Sequence, residues 1–243
     1  MAMTGMAGSL NRHGLKILAG MAATLALSGS VVFGNDAATP RRIRVACVGD
    51  SITMGVGTAT PATQSFPAQA QAMLGDGWEL INFGVGGRTL LRKADPLAFG
   101  RALRSEPDVV LIMLGVNDSK TNSWAIHKSD FVSDYIAAIR EFQALPSRPV
   151  VMACLPTPAF PGNWGISGAV IADEIVPGIR EAVKATGAVL VDTHTPLLDA
   201  KVLFPDKVHP NAEGARRIAG VVAAALLEVR KGDSPEAIER SKP

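Results

Sequence analysis

Cysteine is nearly missing from this chain: Cys47 and Cys154 are the only two in 243 residues. So few cannot build the disulfide framework that holds many small secreted domains together. An excess of one charge is missing as well, with 24 lysines and arginines against 22 aspartates and glutamates, and no run of either sign. Nucleic-acid binding needs a basic face, so no nucleic-acid partner is expected. The G-x-S-x-G elbow of one large esterase fold does not occur. Gly84-x-Gly86 begins like a dinucleotide fingerprint, but Thr89 stands where its third glycine belongs. No internal repeat and no second domain is apparent.

The amino terminus lacks acids. Residues 1–34 carry Arg12 and Lys16, followed by the uncharged stretch Ile17 to Gly34. A basic start before an apolar run reads as a secretory signal peptide. The alternative is an uncleaved anchor, since 18 uncharged residues approach the span of a bilayer. The many Gly, Ala, Ser and Thr residues in the run favour cleavage, after Val32-Phe33-Gly34 or after Asp36-Ala37-Ala38. With no cysteine here, a lipoprotein anchor is not expected. The expectation is therefore an exported protein, periplasmic or secreted, with no stable membrane partner once the leader is gone. Residues 1–38 are read as signal and short linker, 39–230 as one domain, and 231–243 as a polar tail of mixed charge.

Short apolar, β-branched runs alternate with helical patterns, which argues for a parallel sheet covered by helices. The expected strands are Ile43–Val48, Glu79–Phe83, Val109–Leu114, Val150–Leu155 and Ala188–Val191. Helices are expected over Phe66–Leu74, Pro96–Ser105 and Asp130–Leu145, the last with Ser129 as its N-cap. Ala169–Thr186 reads as a helix bent or interrupted at Pro177, and a last helix runs from about Ala212 to Val229. This order suits a three-layer α/β fold: a single doubly wound, flavodoxin-like domain on a parallel five-stranded sheet of order 2-1-3-4-5. Its site would lie at the carboxyl ends of the strands. In that order Cys47 and Cys154 sit on the first and fourth strands with the third between them. Two strand spacings, ~9.6 Å, exceed the reach of a disulfide, ~7 Å, so two buried free thiols are expected.

Four segments then fall just past strand ends. Gly49-Asp50-Ser51 follows the first strand, so a hydroxyl stands where a buried strand turns outward. The second strand leads into Asn82-Phe83-Gly84-Val85-Gly86-Gly87-Arg88-Thr89, the third into Gly115-Val116-Asn117-Asp118. Asp206 and His209 come after the fifth. Strands 2, 1 and 3 are neighbours in the expected order, so their loops gather around Ser51. A backbone N–H of the glycine loop, the Ser51 N–H and the Asn117 amide could converge on one oxygen, as an oxyanion hole requires. Serine is a weak nucleophile and needs a base. His209 is the best candidate, with Asp206 three residues earlier to hold its ring.

These four blocks, in this order, resemble the SGNH (GDSL) hydrolase superfamily over nearly the whole chain from Ile43 to about Val229. The resemblance implies Ser51 as nucleophile, Asp206 and His209 as the rest of the triad, and Gly87 and Asn117 beside the Ser51 amide in the oxyanion hole. This chain has Gly86 where the family usually has serine, so Gly86 and Gly87 are both candidates for the donor. The implied activity is a serine esterase working through an acyl-enzyme, with no metal or organic cofactor. Short acyl groups such as acetyl, carried on carbohydrate, are the expected substrate. A lysophospholipase or thioesterase of the same fold is the alternative, and a sugar-binding surface protein without catalysis is another.

Asp50, Gly86, Arg88, Phe160, Asn163 and Trp164 are expected to border the substrate. Phe160 and Trp164 could stack on a sugar ring or merely pin their loop to the body. Arg88 could meet a substrate oxygen or form a surface ion pair. Asp118 is given a structural role and His127 an exposed place before a helix. His194 is the rival base, and Asp192, His194 and His209 the one conceivable metal set, although their spacing matches no known ligand pattern. The second Gly-Asp-Ser, at 232–234, has no strand behind it and reads as coincidence.

Overall fold

Five runs of aliphatic and β-branched residues form one parallel sheet, in a computed structural model that describes residues 41–91, 99–162 and 164–232. The expected leader and linker, Asn163 and the tail beyond residue 232 lie outside these, as do the last two residues of the second Gly-Asp-Ser. The elements run β1 (Ile43–Gly49), α1 (Ser51–Met54), α2 (Pro61–Gln64), α3 (Phe66–Leu74), β2 (Trp78–Gly84), α4 (Gly100–Leu103), β3 (Val109–Met113) and α5 (Thr121–Gln143). They continue with β4 (Val150–Cys154), α6 (Gly168–Val170), a π-helical turn (Ile171–Ile175), α7 (Val176–Thr186), β5 (Val189–Val191) and α8 (Ala212–Gly232). The strand order is β2-β1-β3-β4-β5, as the sequence predicts.

The central strand β3 is buried along its whole length, which is why it reads as an unbroken apolar run rather than an alternating one. Right-handed crossovers place helices on one face when the chain moves one way along the sheet and on the other when it moves back. Accordingly α3 packs with α8, and α5 packs with α7. The core is filled by Trp78, Tyr135, Phe66, Phe131, Phe142 and Phe204 together with the aliphatic strands. Cys47 and Cys154 are buried free thiols on β1 and β4. No helix among the described residues is long and apolar enough to cross a membrane.

Three local expectations need correction. Helix α5 begins at Thr121, so Ser129 is an interior residue and no cap, and half-buried His127 lies within the helix. The buried face runs Trp124, Phe131, Tyr135, Ala138, Ile139 and Phe142. Trp124 lies two turns before Phe131 and meets it edge-on, with centroids 5.3 Å apart, so the apolar stripe starts earlier than the aliphatic spacing suggests. The helix expected over Pro96–Ser105 is only Gly100–Leu103 among the described residues. Near Pro177 the helix widens instead of stopping. Proline has no N–H to donate, and the N–H of Val176, the residue just before it, bonds the Ile171 carbonyl across a π-turn.

Candidate active site

Register brings the site's parts to one level. Gly49, the last residue of β1, pairs with Gly84 of β2 on one side and Met113 of β3 on the other, so three loops leave the sheet together. Asp50 caps the single turn of α1, its Oδ1 accepting the Ile52 N–H at 2.9 Å. Ser51 is therefore the first helical residue, and its own N–H has no intrahelical carbonyl to bond. Gly84 is required for closeness: a Cβ there would lie 2.2 Å from the Met54 nitrogen. Asn82 fastens the same approach, donating to the Thr53 carbonyl at 2.7 Å and accepting the Gly84 N–H at 2.9 Å.

His209 reaches Ser51 from the far side of the sheet. After β5 the chain makes two 3-10 turns, buries Phe204, and forms a tight turn in which Lys207 donates its N–H to the Phe204 carbonyl at 2.9 Å. Asp206 Oδ1 accepts the N–H groups of Val208 at 3.0 Å and His209 at 2.7 Å. Its Oδ2 lies 2.6 Å from His209 Nδ1, and His209 Nε2 lies 2.8 Å from Ser51 Oγ. Burial pushes Asp206 upward, but the hydrogen bond from the His209 ring, the N–H groups of His209 and Val208, and the histidine charge together hold it below its ordinary value. Beside an ionised carboxylate, Nδ1 carries the ring proton. Nε2 is then free to accept from the serine hydroxyl.

The candidate oxyanion donors other than Ser51 come from the loops after β2 and β3. The Arg88 N–H bonds the Val85 carbonyl at 3.2 Å, and Gly87 occupies the third position of that turn at φ +76°, as a type II turn needs. Gly86 has no positive φ, so of the two candidate glycines it is Gly87 whose backbone conformation only glycine adopts readily. The Asn117 amide donates to the Arg88 carbonyl at 3.1 Å with one N–H, which leaves its second for a ligand.

Residues 47–217 match the GDSL-like lipase/acylhydrolase family. The chain belongs to that family. It is 40% identical over 207 residues to an acetylxylan esterase of Xylanibacter ruminicola, an alignment covering 76% of this chain and 43% of the relative. The chain thus spans less than half of that relative's length. Its fold matches the crystal structure of the acetyl xylan esterase AlAXEase at TM-score 0.63 and 25% identity, over 76% of this chain and all of the other. Est24, a carbohydrate acetylesterase from Sinorhizobium meliloti, matches at TM-score 0.63 and 20% identity, over 78% of this chain and all of the other.

The residues expected to border substrate divide. Asp50 does not: it is 1% exposed beneath Ser51, and its Oδ2 has no partner among the described residues. Burial pushes its carboxyl up to about 7, against the pull of the Ile52 N–H and with a further push from the Asp118 charge. Arg88 bonds the Phe83 carbonyl at the end of β2 at 3.1 Å, and in this GDSL protein it is the Arg88 carbonyl that meets Asn117. Phe160 pins its loop to the body. Its ring packs on Phe204 with centroids 5.3 Å apart, and its N–H bonds the Lys207 carbonyl at 2.9 Å. Trp164 is 64% exposed and stands edge-on to His209, with centroids 6.0 Å apart. Gly86 is exposed at the rim.

It is His209 Nε2 that meets Ser51 Oγ, at 2.8 Å, whereas the hydrogen bond of the His194 ring goes from Nδ1 to the Pro156 carbonyl at 2.8 Å. The Asp192 carboxylate accepts the N–H groups of His194 and Thr195 and the Thr195 hydroxyl, so the conceivable metal ligands point to protein partners instead of to one another. Sequence reasoning left Asn82 and Ser119 without a role. Asn82 opens the glycine block and was visible there. The Ser119 hydroxyl donates to the Val116 carbonyl and accepts the Ser167 N–H at 3.2 Å, a long-range contact that no local pattern announces.

Proposed function

We propose that this hydrolase is a serine esterase that removes short acyl groups, acetyl above all, from carbohydrate. The observation that carries the reading is the continuous relay from Ser51 Oγ through His209 to Asp206, at 2.8 and 2.6 Å. Ser51 Oγ attacks the ester carbonyl carbon while its proton passes to His209 Nε2, and Asp206 stabilises the imidazolium that forms. The N–H groups of Ser51 and Gly87 and the free N–H of Asn117 take up the negative charge on the carbonyl oxygen. Collapse expels the alkoxide, which leaves with the proton from His209. Water then gives its proton to His209 and attacks the acyl-serine, releasing the acid and restoring Ser51.

Acetylated carbohydrate is favoured by the esterases of similar sequence and fold and by exposed Trp164, a flat apolar face beside the catalytic histidine. The reading also takes the basic-then-apolar leader to direct export, where polysaccharide would be met. Ser51→Ala should abolish hydrolysis of a chromogenic acetyl ester and block labelling by a fluorophosphonate. Full activity in that variant would sink the serine mechanism. Acetate release from acetylated xylan, measured beside a series of chromogenic esters of rising chain length, tests the substrate. A preference for long chains would favour the lysophospholipase or thioesterase alternative.

A further inference from the structure

Asp118 is a fully buried acid outside the proton relay. Its two oxygens lie 2.9 and 3.1 Å from the backbone nitrogen of Leu90, and the Leu91 N–H is a second donor to it. Its neighbour Asn117 donates to the Arg88 carbonyl at 3.1 Å. Two adjacent side chains at the tip of β3 thus grip positions 88, 90 and 91 of the loop that leaves β2.

That grip bears on the chemistry because an amide NH2 is planar. With one N–H committed to Arg88, the direction of the other is set by where the Arg88 carbonyl stands. Gly87 precedes that carbonyl, and apart from its chain neighbours no atom of the described residues lies within 4 Å of the point where its Cβ would be. No described side chain buttresses Gly87 on its Cβ side. The loop turn and the bonds at 88, 90 and 91 hold the segment on either side of its peptide. A neutral isostere could not replace them fully, since an asparagine at 118 would turn an NH2 toward one of two N–H donors. Burial pushes Asp118 up to about 6, while the Leu90 and Leu91 N–H groups pull it back.

We propose that Asp118 is a positioning residue for the oxyanion hole, clamping the Leu90 and Leu91 N–H groups so that the Gly87 amide and the free Asn117 N–H stay aimed at the substrate carbonyl oxygen. This rests on the reading of Ser51 as the nucleophile. An oxyanion hole acts in the transition state, so its disorder lowers kcat and leaves KM nearly unchanged.

The test measures kcat and KM on a chromogenic acetyl ester for Asp118→Ala, Asp118→Asn, Asn117→Ala and the Asn117→Ala/Asp118→Ala double variant. Rates are expressed per site labelled to completion by fluorophosphonate, and Tm is recorded for each. Asn117→Ala should lower kcat about 10²-fold, the usual cost of one oxyanion donor, and Asp118→Ala at least about tenfold with KM within about twofold. Asp118→Asn should fall between. In the Asn117→Ala background the Asp118→Ala cost should shrink to about threefold or less, because the two act through one another. If Asp118→Ala does not fold, Asp118→Asn carries the same comparisons. An unchanged kcat per labelled site, a loss seen in KM, or costs that multiply in full would overturn the inference. Those results with Ser51→Ala inactive would remove only Asp118's role, whereas activity in Ser51→Ala would remove the parent reading.

Discussion

Asp206 holds His209 twice, with Oδ2 2.6 Å from the ring Nδ1 and Oδ1 2.7 Å from the backbone nitrogen. One carboxylate therefore sets both the tautomer of the His209 ring and the turn that carries it. Asp206→Asn can keep the backbone bond but offers the wrong group or a weaker one to Nδ1. We expect its kcat to fall by about 10³- to 10⁴-fold, the scale of losing the acid of such a triad. Asp206→Ala should lose the backbone bond as well and show a lower Tm. An Asp206→Asn enzyme with more than a tenth of the parent kcat would contradict this.

Asp50 makes stability depend on pH. Its carboxyl is pushed up to about 7 by burial, against 3.8 ordinarily, so between those values the folded state keeps a proton that the unfolded chain releases. Its contribution is complete below about 4 and is lost as pH rises toward 7. Asp118 adds a similar slope up to about 6. Asp50→Asn retains the oxygen that accepts the Ile52 N–H and cannot ionise. Its Tm relative to the parent should improve from pH 4.5 to pH 8 by at least about 3 °C, or about 1 kcal/mol for a domain of this size. Parallel Tm curves would show that Asp50 does not titrate in this window.

Trp164 offers an exposed face next to the His209 ring, and its effect should depend on substrate size. Trp164→Ala should raise KM for an acetylated xylo-oligosaccharide about tenfold, equivalent to about 1.4 kcal/mol. Hydrolysis of a small chromogenic acetate should hardly change, and Trp164→Phe should lie between. Equal losses on both substrates would mean that the indole supports His209 and does not receive sugar.

Gly84 is the point of closest approach between β2 and α1. A methyl there would sit 2.2 Å from the Met54 nitrogen and 2.7 Å from its Cα, both backbone atoms that cannot turn aside. Gly84→Ala should lower Tm by about 2–10 °C, the range for overpacking by 1–3 kcal/mol. It should also slow fluorophosphonate labelling of Ser51. A fully stable, fast-labelling variant would show that the contact yields easily.

The sheet was legible because parallel strands buried on both faces must be written as apolar runs. Ile43–Gly49 and Val109–Met113 leave little choice, and the loop motifs following them fall where the doubly wound order gathers them. The relay was legible because Asp206 and His209 belong to one turn. Other parts depended on long-range packing. Asp50 looked like a substrate contact from its place beside Ser51, but an N-cap turns inward, and the sheet buries it. Phe160 and Trp164 were indistinguishable as aromatics of one loop until Phe204 and His209 supplied a neighbour for each. Helix α5 was placed too late because Trp124 was not counted into the stripe.

The loop that carries Trp164 is hydrogen-bonded at both ends to segments that hold candidate site residues. Phe160 gives its N–H to Lys207, between Asp206 and His209, and Ser167 gives its own to Ser119, two residues past Asn117. For anyone redesigning which alcohol the enzyme accepts, residues 160–167 are not an interchangeable cassette. A graft must bring compatible partners at positions 119 and 207, or the borrowed loop will tug on the segments of His209 and Asn117 together.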